Sequence, residues 1–138
     1  MLKKPFKIIG IEHVGIAVKS LDGVSDIFSG ILGLDHVGEE EVSDQGVLTD
    51  IYDTGGGKLE FLKATGHDSP ISKFISKKGE GMHHIALKVD NLEAAMEYLD
   101  SKGIELVDTK SRKGAEGLSI AFLHPRSTAK LLVELCQS

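Results

Sequence analysis

Residues 8–18 alternate in character. Val14, Ile16 and Val18 point to one side, and His13, Gly15 and Ala17 to the other. This is the two-residue period of a strand. The first set reads as a core face; the second is small and leaves room beside a histidine. Ser20 can cap a helix, and Val24, Ile27, Phe28, Ile31 and Leu32 follow at helical spacing. Gly33 sits where a left-handed C-terminal cap belongs. Residues 34–42 and 47–53 read as strands about the turn Ser43-Asp44-Gln45-Gly46. Gly55-Gly56-Gly57 then turns into Lys58-Leu59-Glu60-Phe61-Leu62, with Leu59 and Phe61 toward the core and Glu60 on the opposite face.

The same pattern starts again after a linker. Ser69-Pro70 signals a short helix carrying Ile71, Phe74 and Ile75, and Gly79-Glu80-Gly81 breaks it. Ile85, Leu87 and Val89 then face the core, while His84 and Ala86 face away. Asp90 with Glu93 forms a capping box for a helix with the stripe Leu92, Ala95, Met96 and Leu99, ending at Gly103. Ser20 to Gly33 and Asp90 to Gly103 both span 13 positions, so two helices of equal length are expected. Strands over 104–108, 117–123 and 130–136 complete the second copy.

Each half reads strand, helix, strand, strand, strand. The predicted fold class is α+β: two βαβββ modules forming a cupped mixed sheet with helices on its outer face. One domain over 1–138 is expected, with module one at about 8–63, a linker with a short helix at about 64–81 and module two at about 82–138.

Composition narrows the function. With 138 residues and a net charge of −5, and without a basic block, the chain does not look like a nucleic-acid binder. The absence of Trp argues further against a base-stacking surface. No apolar run approaches the ~18 residues of a membrane span. The basic start Met1-Leu2-Lys3-Lys4-Pro5-Phe6 lacks the apolar stretch of a signal peptide, and a single cysteine, Cys136, fits a cytoplasmic protein. Cys136 shares a face with Glu134 and reads as a small buried hydrophobe.

The repeat carries the chemistry. His13 precedes Glu60 by 47 positions, and His84 precedes Glu134 by 50. Taken singly, a histidine at a strand start or a glutamate on an edge strand is ordinary. Taken together, four such residues at matched positions on one face are not. Two neighbouring buried carboxylates are costly, and a divalent cation removes that cost. Two imidazoles and two carboxylates suit zinc, nickel, cobalt, manganese or iron. A closed tetrahedral site would be structural, whereas an octahedral ion would keep open positions. The residue count leaves both, and the small Gly15, Ala17 and Ala86 favour a cavity.

These stretches resemble the vicinal oxygen chelate superfamily and, within it, the methylmalonyl-CoA epimerase family. The resemblance is carried by Ile11-Glu12-His13-Val14-Gly15, by Gln45-Gly46-Val47, by Asp68-Ser69-Pro70-Ile71 and by Gly81-Met82-His83-His84-Ile85-Ala86. It continues through Lys113-Gly114-Ala115-Glu116-Gly117, Phe122-Leu123-His124-Pro125-Arg126-Ser127 and Leu132-Val133-Glu134-Leu135. It implies an isomerase that interconverts the epimers of an acyl-CoA by removing the proton next to the thioester. It implies ligation of a divalent ion (cobalt, nickel, manganese or zinc) by His13, Glu60, His84 and Glu134. Glu134 and Glu60 become the candidate acid–base pair, Gln45 a substrate contact, and the assembly a homodimer. His83 is turned away from the ligand face by alternation. Where some bacterial relatives carry a second glutamate base, this chain has Thr49 with Asp50 beside it, so Asp50 stands as a second choice behind Glu60. Thr128-Ala129-Lys130 replaces the family's frequent Gly-Gly. Lys113, Arg126 and Lys130 could meet the phosphates of coenzyme A, or be ordinary solvated side chains.

The competing readings are a lactoylglutathione lyase-type isomerase, a metal-free protein that sequesters a small molecule, and an iron dioxygenase. The extra carboxylate, Glu60, argues against the last.

Overall fold

In the computed structural model, residues 4–138 are described; Met1, Leu2 and Lys3, the beginning of the basic start, lie outside the described residues. The strands are β1 (Ile8–Val18), β2 (Asp35–Val42), β3 (Val47–Asp53) and β4 (Lys58–Ala64), then helix α1 (Pro70–Lys78) and β5 (Gly81–Val89). Helix α2 (Leu92–Ser101), β6 (Arg112–Lys113), β7 (Ser119–Leu123) and β8 (Val133–Gln137) follow. The chain forms two compact units. The first is His13–His83; the second joins the described residues up to Glu12 to His84–Ser138. Among the described residues no helix is long and apolar enough to cross a membrane.

The two units share one pairing scheme. In the first, β1 runs parallel to β4, β4 antiparallel to β3 and β3 antiparallel to β2. In the second, β5 runs parallel to β8, β8 antiparallel to β7 and β7 antiparallel to β6. The βαβββ repeat expected from the pattern is therefore present in the topology.

Alternation sorts each sheet into two faces. In the second unit Ala121, Leu123, Val133 and Leu135 pack with Val89, Leu92, Ala95 and Met96, so this face lies against α2. Phe6 joins that core and meets Tyr98 edge-on at 5.9 Å. Ala86, Ile120, Phe122 and Cys136 form a separate cluster from the alternate positions. Cys136 is fully buried, as expected of a small hydrophobe. In the first unit Phe28, Tyr52 and Phe61 pack as an aromatic group, with ring centroids 4.7 to 6.1 Å apart.

Three expectations are corrected. The helix expected over Ser20–Gly33 is a short π-helical segment, Asp26–Ile31. The amide of Leu32 reaches the carbonyl of Ile27 at 2.8 Å, a five-residue step. A wider turn no longer stacks residues three and four apart on one face. Phe28 turns inward, while Ile27, Ile31 and Leu32 stay exposed, Ile31 at 78%. Ser20 accepts instead from the amide of Asp22, and Gly33 does take the left-handed conformation expected of it. The two helices are therefore unequal.

The capping box at Asp90 and Glu93 is also displaced. Asn91 caps α2 by accepting from the amide of Ala94, because the Asp90 carboxylate is taken by the amide of Lys7. Glu93 accepts from the Ser111 hydroxyl. Finally, residues 104–108 form no strand beyond a single bridge, Leu106 to Leu123; the second strand of this unit is the two-residue β6. Asp108 points its carboxylate at the amide of Phe122, 2.7 Å away, where a strand would offer a backbone carbonyl.

Candidate active site

The first unit places His13 on β1 beside Glu60 on β4. Gly15 is the residue directly paired with Glu60 in the parallel ladder, two positions after His13. Residues two apart on a strand share a face. Glycine contributes no side chain, so the imidazole and carboxylate meet over it, with His13 Nδ1 3.1 Å from Glu60 Oε2. The second unit repeats this placement. Ala86 pairs with Glu134, two positions after His84, and His84 Nε2 lies 3.2 Å from Glu134 Oε1. All four residues are buried to 4% exposure or less. Each half thus has a histidine, a small residue two positions on, and a glutamate across from that small residue.

Buried carboxylates are stable only when charge and hydrogen bonding are both met. Imidazole supplies part of this in each pair. Each pair offers one imidazole nitrogen and one carboxylate, donor types that suit a divalent transition ion, whose ligands are deprotonated oxygens and neutral ring nitrogens.

Asp50 does not join this face. Ile51 is the β3 residue paired with Glu60, whereas Asp50 pairs with Phe61. Its side chain therefore projects from the opposite side of the sheet. There His36 Nε2 lies 2.6 Å from Oδ1, and the Tyr52 hydroxyl donates to Oδ2 at 2.6 Å. Burial, reinforced by the Asp50 carboxylate, pushes the Tyr52 hydroxyl up to about 12. Asp50, expected as a second choice of base, is thus held on the face away from Glu60. Thr49 is buried on Glu60's side of the sheet, in register with Leu62.

The expected substrate contacts are spread over loops. Gln45 lines a cavity of about 320 Å³ with Asp44, Gly46, His67, Ser69 and Pro70. Gly46 has φ +62°, and a Cβ there would come within 3.2 Å of the Ser69 Cβ, so glycine is what lets the Gln45 turn close against the start of α1. Lys113 pairs with Ser119, on the opposite face from Glu134, and its ammonium lies 3.4 Å from both the Gly117 carbonyl and the Ser119 hydroxyl. Arg126 is 73% exposed and bound bidentately by Glu105. Lys130 is exposed on the loop before β8. His83 is half-buried, edge-on to Phe74 at 4.9 Å.

One residue escaped the sequence reading. Arg112 pairs with Ile120, which shares Glu134's face through Cys136 and Phe122. Its guanidinium lies 5.7 Å from the centroid of the Phe122 ring, and that ring stands edge-on to His84 at 5.7 Å. A two-residue strand carries no periodic signal, so only the position of Arg112 beside the Gly114-to-Gly117 turn could have suggested it.

Comparison with known proteins agrees with this fold. Residues 12–122 match the family model described as the Glyoxalase/Bleomycin resistance protein/Dioxygenase superfamily. The mitochondrial methylmalonyl-CoA epimerase of Homo sapiens is 37% identical, over 93% of this chain and 73% of its own. The ethylmalonyl-CoA/methylmalonyl-CoA epimerase of Cereibacter sphaeroides is 33% identical, over 92% of this chain and 96% of its own. A variant of the Streptomyces coelicolor methylmalonyl-CoA epimerase, solved in complex with 2-nitronate-propionyl-CoA, superposes with a TM-score of 0.88 at 31% identity, covering 96% of this chain and 99% of its own. A paired βαβββ topology, a repeated His–Glu register and these similarities over nearly the whole length lead to one conclusion: the chain has the vicinal oxygen chelate fold and belongs to the glyoxalase/bleomycin resistance protein/dioxygenase superfamily, in the family that includes the methylmalonyl-CoA epimerases.

Proposed function

We propose that this chain is a metal-dependent isomerase that interconverts the two epimers of methylmalonyl-CoA, with His13, Glu60, His84 and Glu134 as ligands of a divalent ion (cobalt, nickel, manganese or zinc). The observation that supports it best is the repeated register, in which a small residue opposite each glutamate leaves room for the histidine two positions earlier. A family whose named members act on methylmalonyl-CoA supplies the substrate. When bound, the ion supplies positive charge that stabilises the negative charge developing on the thioester oxygen.

The chain's own residues move the proton. Glu134 is the base that takes it from the carbon next to the thioester and then gives it up to solvent, and Glu60, from the other module, is the partner that in its neutral form returns a proton drawn from solvent. Removal by one carboxylate and return by the other inverts the carbon. A positioned acid–base group contributes roughly 10²–10⁴-fold in rate. Gln45 is the proposed substrate contact. Lys113, Arg126 and Lys130 are the proposed partners of the coenzyme phosphates, and the same resemblance carries a homodimer.

The test is proton NMR of racemic methylmalonyl-CoA in D₂O with metal-loaded protein, followed by a coupled assay for one epimer. The expected result is loss of the α-proton signal, abolished by chelator. The variant Glu134→Gln should lose at least ~100-fold in turnover while its melting curve keeps its shape. No exchange above the protein-free control, with metal content verified, overturns the reading.

A further inference from the structure

The second unit holds a cation beside its His–Glu pair that the epimerase reading leaves without a task. Glu134 pairs with Phe122, Cys136 with Ile120, and Ile120 with Arg112, so one face of β8, β7 and β6 runs from the carboxylate to the guanidinium. The Phe122 ring meets both the His84 ring and the Arg112 guanidinium, each 5.7 Å from its centroid. Stacking on an aromatic ring holds the guanidinium plane and leaves its donors to point outward along their edges.

Asp108 engages this cation incompletely. Its Oδ1 lies 3.4 Å from Arg112 Nε, an ion-pair distance, yet the buried Nε makes no hydrogen bond. The other Asp108 oxygen is fixed by the amide of Phe122 at 2.7 Å. A half-exposed pair of this kind contributes little stability by itself. Asp108 instead keeps Arg112 laid over Phe122. Lys113, next in sequence, projects from the other face and does not share the task.

We propose that Arg112 binds the free carboxylate of the acyl group and so selects carboxylated acyl thioesters over plain ones. This inference rests on the epimerase reading above. A methylmalonyl group differs from an ordinary acyl group by one carboxylate, attached to the same carbon that loses its proton. A planar guanidinium recognises a carboxylate through two parallel hydrogen bonds, which a lysine cannot reproduce. Its place against Phe122, the ring that also meets His84, rather than on the exposed loops that carry Arg126 and Lys130, suits the reacting end of the substrate and not the coenzyme tail.

The experiment compares the metal-loaded full chain with Arg112→Gln and Arg112→Lys, using methylmalonate and acyl-free coenzyme A as separate inhibitors of α-proton exchange. In Arg112→Gln the KM for methylmalonyl-CoA should rise about tenfold or more, and inhibition by methylmalonate should weaken by a similar factor. Inhibition by coenzyme A should not change, and Arg112→Lys should fall between. Unaltered inhibition by methylmalonate, or a loss that falls on coenzyme A instead, overturns the proposal. If Arg112→Gln does not fold, the same two inhibitors measured on Arg112→Lys decide it. If the unaltered protein shows no exchange at all, the epimerase reading fails first. Calorimetric binding of methylmalonate to the unaltered protein and to the Gln variant then judges Arg112 alone: equal affinity, or no binding to either, rejects it.

Discussion

The two units agree where the sheet places its histidine and glutamate, and differ on the side that faces the helix. In the second unit the β7 positions on that side are Ala121 and Leu123, packed against Leu92, Ala95 and Met96 of a ten-residue α-helix. The corresponding β3 positions of the first unit, matched through the pairings of Glu60 and Glu134, are Asp50 and Tyr52. They meet His36 and Phe28 beside a six-residue π-helical segment. The His–Glu geometry is thus set by strand register and small residues, and it tolerates either covering. What differs is how each unit is held together: apolar burial in one, an aromatic group over a satisfied polar network in the other.

That contrast is broken most sharply by truncating the two helices. Leu92 is 1% exposed and inside the second core, so Leu92→Ala should cost about 3 kcal/mol by lost transfer energy and the cavity left behind. Ile31 holds the equivalent apolar stripe only in sequence. At 78% exposure, Ile31→Ala should stay within about 0.5 kcal/mol. Urea unfolding of both variants checks this, and a loss at Ile31 comparable to that at Leu92 would mean that the exposed face is covered in solution.

The shared part of the comparison is sharpened by filling the space over each glutamate. Gly15→Val and Ala86→Val put a branched side chain directly opposite Glu60 and Glu134. Both should lower metal affinity, by roughly 10–100-fold as for groups that orient metal ligands, and by similar factors if the halves are equivalent. Metal titration by calorimetry reads the two numbers. A loss confined to one variant would show that the repeated register does not carry equal weight.

How much could be read beforehand follows the same division. Alternation located the strands of His13, Glu60, His84 and Glu134, and in the two histidine strands a two-residue period with His, Gly or Ala on one side leaves few other readings. The first helix was misread because Val24, Ile27, Phe28, Ile31 and Leu32 satisfy helical spacing whether or not the turn widens. Ser25, Asp26, Ser29 and Gly30 between them are weak α-helix formers. The cap of α2 moved by one residue because Asp90 is claimed by Lys7, 83 positions away, a contact no local motif contains. Asp50 was a candidate base by proximity in sequence to Thr49, but one step along a strand changes the face.

The polar network itself gives a smaller effect. Asp50→Asn keeps the shape but weakens the acceptor for Tyr52, and should cost on the order of 1–2 kcal/mol. The Tyr52 hydroxyl is raised to about 12 by burial and then by Asp50. A folded-state value above the unfolded one means that this contribution is fully present below the ordinary tyrosine range and is lost as pH rises through about 12. Ultraviolet titration of the phenolate should therefore show Tyr52 ionising earlier in Asp50→Asn. Turnover should change by less than about threefold, since Asp50 lies on the face opposite Glu60; a loss approaching the ~100-fold of Glu134→Gln would make it a base.

The smallest expected effect is a gain, and it comes from the turns that lead into the two glutamate strands. Before β4 the first unit uses Gly55-Gly56-Gly57, and Gly55 supplies φ +96° without strain. Before β8 the second unit places Ala129 at φ 55° and Lys130 at φ 69°. A side chain in this region costs roughly 1 kcal/mol, because its Cβ crowds the following carbonyl oxygen. The turn is nonetheless fixed by backbone bonds, Lys130 amide to Pro125 carbonyl at 2.8 Å and Leu131 amide to Thr128 carbonyl at 3.0 Å. Neither needs the alanine methyl. Ala129→Gly should therefore relieve the strain, partly offset by the greater freedom of glycine in the unfolded chain, for a net gain of about 0.5 kcal/mol. A melting temperature raised by a degree or two, with metal affinity unchanged, is the expected outcome. A lower melting temperature would show that the methyl packs against something the strain argument ignores, and that the two turns solve the same problem by different means.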